Sequence, residues 1–501
     1  MIHAETHRPH FHFTPGAMWM NDPNGLVYAD GEYHLFYQHE PRAMTCTGVM
    51  DWGHAVSRDL VNWRELPVAI THDELGWAWS GSAVLDRENR SGLGTAAQPP
   101  LVAIYTQHLV LPDQKYTERQ SLAFSLDAGR SWTKYPGNPV IGNPGNPDFR
   151  DPKVFWHEPG GHWVAVIASQ FQTRFYRSRD LKRWEATGIF ASPPDPRGRF
   201  WECPDLFPIR VAGTDQEKWV LIQNTSGGPN GGSVTRYYLG HFDGKTFVSE
   251  TPPETPLWFD YGPDNYAGIT WDNAPDARRL FIGWMSNWEY AQAVPTDPWR
   301  GAMTVPRELR LQETPAGLRL FQEPVAELRA LRKSPQPLAA ATVEAKLPLP
   351  GEIATAEIEL TFDLARTAAP EFGVEFTNPQ GETLRVGFDR ERNRFVIDRT
   401  HAGKTAFHEK FAAKSLVFAP REATDAVLRL RLLLDAASVE LFADNGQTAM
   451  SAIFFPHEDF NQASLYAKNG RAAFSGGTVW PLGDIRVSRC RKAEPENPAP
   501  P

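Results

Sequence analysis

The chain has few cysteines, no excess of basic residues and no long apolar run, and each shortage excludes a class of protein. Its three cysteines, Cys46, Cys203 and Cys490, are too few and too scattered among 501 residues for a disulfide framework or a zinc site. A formal charge of −9 without a concentrated basic patch argues against nucleic acid as a partner. No apolar run approaches membrane-spanning length, so we expect no membrane partner either.

The chain also lacks an obvious leader and the common catalytic motifs. Its first ten residues contain no apolar segment of the signal-peptide type. This predicts a cytoplasmic protein, or a secreted or periplasmic one whose signal peptide has been removed. None of the 15 histidines has HExxH spacing, and Gly81-Ser82 lacks the GxSxG elbow. We therefore expect neither a metal site nor a serine nucleophile.

The residues that are plentiful favour an all-β fold. Proline (43) and glycine (39) are abundant without a fixed period, as in proteins with many short strands and turns. Tryptophan (17) is also abundant, and its flat faces suit sugar rings as well as protein cores. The length predicts two domains.

The first 310 residues contain a degenerate fivefold repeat. Segments rich in β-branched and aromatic residues, typical of strands, recur at 33–38 (YHLFYQ), 101–107 (LVAIYTQ), 163–169 (WVAVIAS), 219–225 (WVLIQNT) and 280–286 (LFIGWMS). Each follows a polar and aromatic segment that we interpret as a loop, at 19–25 (WMNDPNG), 79–82 (WSGS), 149–155 (FRDPKVF), 201–207 (WECPDLF) and 260–268 (DYGPDNYAG). Equivalent loops of a β-propeller converge at one mouth of its channel, so the acids they carry would meet in one funnel.

The pattern changes after residue 310 and predicts a second domain. We expect a five-bladed β-propeller over residues 1–322 and a short linker helix over 323–336. Alternating apolar and polar residues over the following stretch predict a β-sandwich over 337–490. The Pro-rich residues 491–501 predict a disordered tail.

Two acids of the repeat have the surroundings that glycoside hydrolysis requires, namely one carboxylate and one proton donor. Asp22 lies in an Asn-Asp-Pro-Asn-Gly turn that would hold its carboxylate rigidly. Glu202 lies between Trp201 and Cys203-Pro204, and apolar neighbours suit a proton donor. From their own segments alone, Asp22 could instead cap a turn and Glu202 could form a structural salt bridge.

A third acid and its neighbour complete the candidate machinery. Asp151 follows Arg150, and adjacent residues of a strand point to opposite faces, so the two need not pair. Asp151 could bind sugar hydroxyls, and the forked donors of Arg150 could hold a carboxylate or a hydroxyl.

The sequence resembles glycoside hydrolase family 32, which contains invertases, inulinases and levanases. The resemblance covers both domains, and the matching motifs follow the family order. They are WMNDPNG at 19–25, YHLFYQ at 33–38, WGHAVSRDLVNW at 52–63, WSGS at 79–82, FRDPKVF at 149–155 and WECPDLF at 201–207. Residues 260–271 and 283–309 are more similar to levanases and exo-inulinases than to sucrose invertases.

The resemblance implies a five-bladed propeller followed by a sandwich, no cofactor, and a fructan or sucrose-like carbohydrate as partner. It implies that Asp22 is the nucleophile, Glu202 the acid/base, and Asp151 the carboxylate that binds fructose hydroxyls. It further implies a pocket lined by Trp19, Asn21, Gln38, Trp79, Ser80, Arg150, Tyr266 and Trp288. An exposed sandwich face would also allow a homo-oligomer.

One loop departs from the family pattern. Family members carry Asn-Pro after the Gln-bearing strand and a Trp-Gly shortly before the WGH motif, whereas this chain has Glu40-Pro41 and then residues 44–48 (MTCTG). The pocket tryptophan expected near Cys46 is therefore missing. Our hypothesis is that the Glu40–Asp51 loop reshapes the pocket for a particular fructan or acceptor.

The function predicted from the sequence is a retaining hydrolase that cleaves β-fructosyl linkages of levan, inulin or sucrose through a covalent fructosyl-enzyme. One alternative is a fructosyltransferase of the same family that acts on levan and forms a difructose anhydride. Another is a fructan-binding protein without activity, which the presence of Asp22, Asp151 and Glu202 disfavours.

Overall fold

The computed structural model describes residues 5–113, 115–191, 200–252, 255–351 and 353–485. Cys490 and the tail predicted over 491–501 lie outside the described residues. Where the chain is described, it is almost entirely β, and none of its helices is long and apolar enough to cross a membrane. Those helices are the α-helix Glu409–Ala413 and the 3₁₀ helices Glu158–Gly160, Pro275–Ala277, Ala291–Ala293 and Ala326–Leu331.

Five sheets, antiparallel except for one short strand of the first, follow one another in the first two thirds of the chain. The first contains β1 (Met18–Ala29), β2 (Glu32–Glu40), β3 (Asp51–Ser57) and β4 (Arg64–Ile70). The second contains β5 (Trp77–Leu85), β6 (Leu101–Val110), β7 (Tyr116–Ser125) and β8 (Thr133–Lys134). The third contains β9 (Phe149–His157), β10 (His162–Ser169), β11 (Gln172–Ser178) and β12 (Glu185–Ala191).

The fourth and fifth sheets complete the series. The fourth contains β13 (Glu202–Arg210), β14 (Glu217–Ser226), β15 (Ser233–Phe242), β16 (Phe247–Ser249) and β17 (Leu257–Trp258). The fifth contains β18 (Tyr266–Thr270), β19 (Leu280–Trp284), β21 (Arg307–Thr314) and β22 (Gly317–Pro324). Strand β20 (Trp299–Arg300) pairs in parallel with β1, so the first sheet has a fifth strand.

The first strands of the five sheets contact one another in sequence and close into a ring. Strand β1 packs on β5, β5 on β9, β9 on β13, β13 on β18, and β18 returns to β1. This is the arrangement of strands around the channel of a β-propeller. The predicted all-β class, a propeller followed by a sandwich, is confirmed.

Four of the motifs interpreted as loops are in fact largely part of these first strands, so that interpretation was wrong for them, whereas residues 260–265 of the fifth motif do form a loop before β18. Residues 19–25 lie within β1, residues 79–82 within β5, and residues 149–155 within β9. Their Asn, Pro and Gly residues suggested turns. The structure accommodates them because each first strand has a register irregularity at its motif, and such bulges tolerate Pro and Gly.

The second domain consists of two sheets. One contains β23 (Gln336–Leu338), β24 (Ala341–Val343), β26 (Ala356–Asp363), β31 (Val427–Asp435), β32 (Ser438–Ala443), β33 (Thr448–Ile453) and β35 (Ala472–Pro481). The other contains β25 (Lys346–Pro348), β27 (Glu371–Thr377), β28 (Thr383–Asp389), β29 (Arg394–His401), β30 (Leu416–Pro420) and β34 (Gln462–Lys468). Their inner faces share one large apolar core. The linker helix expected over 323–336 corresponds to the 3₁₀ helix Ala326–Leu331, whereas the exact domain limits stay a prediction.

The interface between the domains contains buried charges as well as apolar contacts. Arg307 is fully buried and donates to Asp260 Oδ2 (2.9 Å) and to Glu440 Oε2 (2.7 Å). His12 contacts Asp435 Oδ2 at 2.8 Å and Glu440 Oε1 at 2.9 Å. The segment before β1 and the first domain are therefore both connected to β31 and β32 of the sandwich.

Candidate active site

The ring of first strands brings the predicted acids together, although they lie far apart in sequence. Each register irregularity falls at a candidate residue: between Met20 and Pro23, Ala78 and Gly81, Arg150 and Lys153, Glu202 and Asp205, and Tyr266 and Ile269. A bulge re-aims side chains that a regular strand would point elsewhere, and bulges are frequent next to active sites. The repeat thus places one irregular strand segment per sheet at the funnel.

Asp22 is held by three neighbours. Its Oδ1 accepts a hydrogen bond from Asn21 Nδ2 at 2.9 Å, and its Oδ2 accepts one from Ser80 Oγ at 2.7 Å. The thiol of Cys203 also approaches Oδ2, at 3.5 Å. A carboxylate fixed in this way has the rigid orientation that nucleophilic attack requires.

Asp151 lies beside Asp22 and shares the Cys203 neighbour. Its Oδ2 accepts the backbone N–H of Cys203 at 2.9 Å, and the Cys203 thiol lies 3.6 Å from the same oxygen. Asp151 (φ 62°) and Cys203 (φ 41°) both adopt left-handed backbone conformations. Such strain in residues with a side chain is concentrated at functional sites. Cys203 therefore connects the two carboxylates.

Glu202 has contacts on two sides. Arg150 Nη2 donates to its Oε1 at 3.2 Å, and the Tyr266 hydroxyl donates to its Oε2 at 2.5 Å. The Glu202 side chain retains 23% exposure, whereas Asp151 and Arg150 are almost completely buried. Glu202 is thus both anchored and open to the funnel, as a group that exchanges protons with substrate and water needs to be.

Electrostatics in the funnel oppose the simultaneous ionisation of all its acids. Burial, and after it the negative charge of Glu202, raises the pKa of Asp22, while the hydrogen bonds that Asp22 accepts act in the opposite direction. Burial also raises the pKa of Asp151 against the opposing charge of Arg150. The two neighbouring acids of the funnel add to that rise. The arrangement favours one proton held among the acids, as acid/base chemistry requires.

Most of the predicted pocket residues lie around these acids. Trp288 stacks on Trp19, with ring centroids 5.9 Å apart, and the Trp79 ring lies 5.8 Å from the Arg150 guanidinium carbon. Gln38 Nε2 donates to the Ala78 carbonyl, next to the WSGS motif. The structure brings these side chains together, and their roles in substrate binding stay predictions.

Trp19 is the most deeply buried of the predicted pocket residues. Its side chain is completely buried, and its place in the pocket wall stays a prediction. Its Nε1 donates to Asn21 Oδ1 at 2.7 Å, and its ring packs edge-on against Trp284. Trp19 orients Asn21, which in turn contacts Asp22.

The atypical Glu40–Asp51 loop borders this site. Glu40 is buried and accepts hydrogen bonds from Arg42 (3.2 Å) and from the Thr47 hydroxyl (2.5 Å). The backbone carbonyl of Gly48, in the same loop, accepts a hydrogen bond from the indole N–H of Trp79 (2.9 Å). Cys46 packs at the edge of the same apolar cluster as Trp79. In this loop the structure therefore has a buried acid, Glu40, and the half-buried Cys46 near the position where the resemblance implies a tryptophan.

Sequence reasoning missed the residues that surround Arg150. Its Nη1 donates to Glu118 Oε1 (3.1 Å) and to Asp148 Oδ1 (2.8 Å). Glu118 also contacts His108 Nδ1 at 3.1 Å. Glu118 belongs to no motif. Only its place on a strand next to β6 would have suggested that it faces the funnel.

Comparisons with known proteins agree with this architecture. The family model described as glycosyl hydrolases family 32 N-terminal domain matches residues 12–324, and that described as glycosyl hydrolases family 32 C terminal matches residues 327–481. The chain is 44% identical to a levanase of Bacillus subtilis (strain 168), over 96% of this chain and 71% of the levanase. It is 36% identical to an extracellular exo-inulinase of Aspergillus awamori, over 95% of this chain and 93% of that enzyme.

Solved structures show the same likeness. The crystal structure of the exo-inulinase from Aspergillus awamori superposes with a TM-score of 0.89 at 33% identity, covering 97% of this chain and 100% of that one. A fructofuranosidase from Schwanniomyces occidentalis, complexed with fructosylnystose, superposes with a TM-score of 0.87 at 30% identity, covering 96% and 98%.

Proposed function

The chain belongs to glycosyl hydrolase family 32, and on that basis we propose that it hydrolyses β-fructosyl linkages of fructans with retention of configuration. The relatives named as levanase and exo-inulinase support a fructan as substrate. The observation that carries the proposal is the convergence of three carboxylates, Asp22, Asp151 and Glu202, in one funnel, with Cys203 in contact with two of them.

In the first step, the Asp22 carboxylate attacks the anomeric carbon of the fructosyl unit, and the bond to the leaving sugar breaks. The proton that the leaving oxygen needs comes from the Glu202 carboxyl group. The products of this step are a fructosyl ester of Asp22, a free sugar hydroxyl and an ionised Glu202.

In the second step, Glu202 removes a proton from water, which attacks the same carbon and releases fructose from Asp22. Glu202 is suited to both proton transfers because it retains exposure while Arg150 and Tyr266 hold its two oxygens. We expect Asp151, which is more buried than Glu202 and accepts the Cys203 N–H, to accept hydrogen bonds from the hydroxyls of the bound sugar.

A time course of products from levan, inulin and sucrose tests the function. We expect release of fructose or short fructans, whereas a protein that binds these substrates without releasing sugar would overturn the proposal. Asp22→Ala should lower turnover by about 10⁴-fold or more. Asp243→Asn, which changes an exposed acid of the outer β15–β16 turn, should turn over like the wild type.

The stereochemistry of the first product tests the mechanism separately. A retaining reaction releases fructose first as the β anomer, and ¹³C NMR follows its conversion to the equilibrium mixture. Initial release of the α anomer by an active enzyme would exclude the covalent role of Asp22 and leave the substrate assignment intact.

A further inference from the structure

The positions of the two proposed catalytic acids define the side from which the leaving sugar departs. The nucleophile and the proton donor flank the bond that breaks, so the leaving sugar lies on the Glu202 side, away from Asp22. On that side Glu202 contacts Tyr266 and Arg150. Tyr266 is only 3% exposed and offers no open surface. Among the described residues, one path outward from Glu202 runs through Arg150.

A chain of hydrogen bonds leads from Arg150 to an exposed aromatic ring. Arg150 Nη1 donates to Asp148 Oδ1 at 2.8 Å, and the Tyr116 hydroxyl donates to the same oxygen at 3.1 Å. Tyr116 is 44% exposed. A tyrosine with its hydroxyl bonded and its ring open to solvent has the amphipathic form used for contacts with polar, partly apolar ligands.

The Tyr116 ring is supported from behind. It stacks on His108, with centroids 4.9 Å apart and an interplanar angle of 25°. His108 stacks in turn on Trp79 at 3.9 Å and on Trp77 at 5.3 Å. The Nδ1 of His108 is bonded to Glu118. Because this stack holds the tyrosine in place, a ligand that rests on the ring loses little binding energy to ordering the side chain.

The location of Tyr116 distinguishes it from other exposed apolar side chains. It opens strand β7 and pairs with Val110, which is also exposed, so the two form a continuous apolar rim. Val248 is more exposed, at 63%, but it lies on the outer strand β16, and among the described residues no hydrogen bond links it to the funnel acids. Exposed apolar surface next to an active site marks a binding site more often than isolated residues do.

We propose that Tyr116 is the platform on which the leaving sugar of a fructan rests during cleavage. The inference rests on the proposed function, because it needs a fructosyl unit between Asp22 and Glu202. A flat sugar face placed on the ring would position the leaving oxygen for the Glu202 proton. Small leaving groups, which do not reach Tyr116, would gain nothing from it.

A comparison of two substrates tests the proposal. One is a levan or inulin oligosaccharide, and the other is methyl β-D-fructofuranoside, whose leaving group is methanol. For Tyr116→Ala we expect kcat/KM on the oligosaccharide to fall by about threefold to tenfold, the range of one aromatic contact. The kcat/KM of this variant for the methyl fructoside should equal that of the wild type within experimental error. The ratio of the two kcat/KM values, oligosaccharide over methyl fructoside, should therefore fall.

Two further variants separate the ring from its hydroxyl and from general effects. Tyr116→Phe keeps the ring and loses the bond to Asp148, so we expect it to restore most of the oligosaccharide preference. Val248→Ala should leave both substrates unaffected. Thermal unfolding of each variant checks that the fold is intact.

The outcomes that would overturn the proposal differ from those that would overturn the function. An equal loss on both substrates for Tyr116→Ala would mean that Tyr116 acts only by positioning Glu202 through Asp148 and Arg150. No loss on either would mean that the leaving sugar does not touch it. If the wild type cleaves neither substrate, the proposed function itself fails.

Discussion

The funnel and the interface between the domains both bury acidic side chains, but with opposite electrostatic results. In the funnel, burial raises the pKa of Asp22 and of Asp151. At the interface, burial acts in the same direction, but cations outweigh it. Arg307 holds the pKa of Asp260 below its usual value, and His12 lowers that of Asp435 to about 2.

The difference lies in the ratio of cations to acids. At the interface, Arg307 and His12 together satisfy three carboxylates. In the funnel, the single guanidinium of Arg150 contacts four acids, namely Glu118, Asp148, Asp151 and Glu202. Buried charges that are balanced hold a structure together, whereas an excess of one sign is retained where chemistry uses it. Removing a charge should therefore destabilise the interface and stabilise the funnel.

The largest effect is expected for Arg307→Ala. The substitution leaves Asp260 and Glu440 buried without their cation, and breaking such a pair typically costs about 3–5 kcal/mol. The midpoint of urea unfolding, followed by circular dichroism, measures the loss. Arg307→Lys keeps the charge but not the forked geometry, so we expect a smaller loss. A change below about 1 kcal/mol for Arg307→Ala would contradict the role of this network.

A smaller effect, dependent on pH, is expected for His12. Burial alone would lower its pKa, but its bonds to Asp435 and Glu440 raise it from 6.5 to about 9. A raised folded-state pKa gives stability that is complete below 6.5 and disappears as the pH rises through about 9. This shift in pKa corresponds to about 3 kcal/mol of stabilisation of the folded state at low pH.

The Tm of the wild type should therefore fall between about pH 7 and about pH 10. The Tm of His12→Gln should be lower at neutral pH and change less over the same interval. The matched control is His162→Gln, because the two ring nitrogens of His162 are bonded to the backbone carbonyls of Gly160 and Gly244 and not to acids. Its Tm should follow the wild-type curve. Parallel curves for His12→Gln and the wild type would refute the proposed charge on His12.

The two regions also differ in how far the sequence could predict them. The funnel acids belong to short motifs, and their recurrence in five units predicted that they meet. The interface network has no such signal, since Asp260, Arg307 and Glu440 are separated by 47 and 133 residues and meet only after the domains pack. Periodicity reveals which face of a strand is buried, but not which distant charge lies opposite.

Prediction from local sequence was also wrong where tertiary structure overrides the turn preferences of individual residues. The Asn-Asp-Pro-Asn-Gly run predicted a loop, yet it forms the middle of β1. This run packs between the neighbouring strands β2 and β5. Two irregularities in the register with β2 allow Pro23 and Gly25 to lie within the strand. Those irregularities depend on the closed ring, which no single segment encodes. They are also what orients Asp22 toward the funnel.

The smallest and most diagnostic effect is expected for Asp151→Asn, which should make the protein more stable and less active. Because the folded-state pKa of Asp151 is raised, the native protein binds a proton more tightly than the unfolded chain, and stability falls as the pH rises above the usual 3.8. An amide carries no charge and its oxygen still accepts from the Cys203 N–H. We expect a gain of about 0.5–2 kcal/mol at neutral pH, typical of active-site substitutions that relieve strain.

The pH dependence of that gain distinguishes relief of charge from a general packing effect. The gain should shrink toward about pH 4, where Asp151 is protonated in the native state and the unfolded chain is also partly protonated. Asp435→Asn is the matched change at the interface and should lower stability at neutral pH, because Asp435 is bonded to His12. If both substitutions shifted the unfolding midpoint in the same direction, the contrast between a strained funnel and a balanced interface would fail.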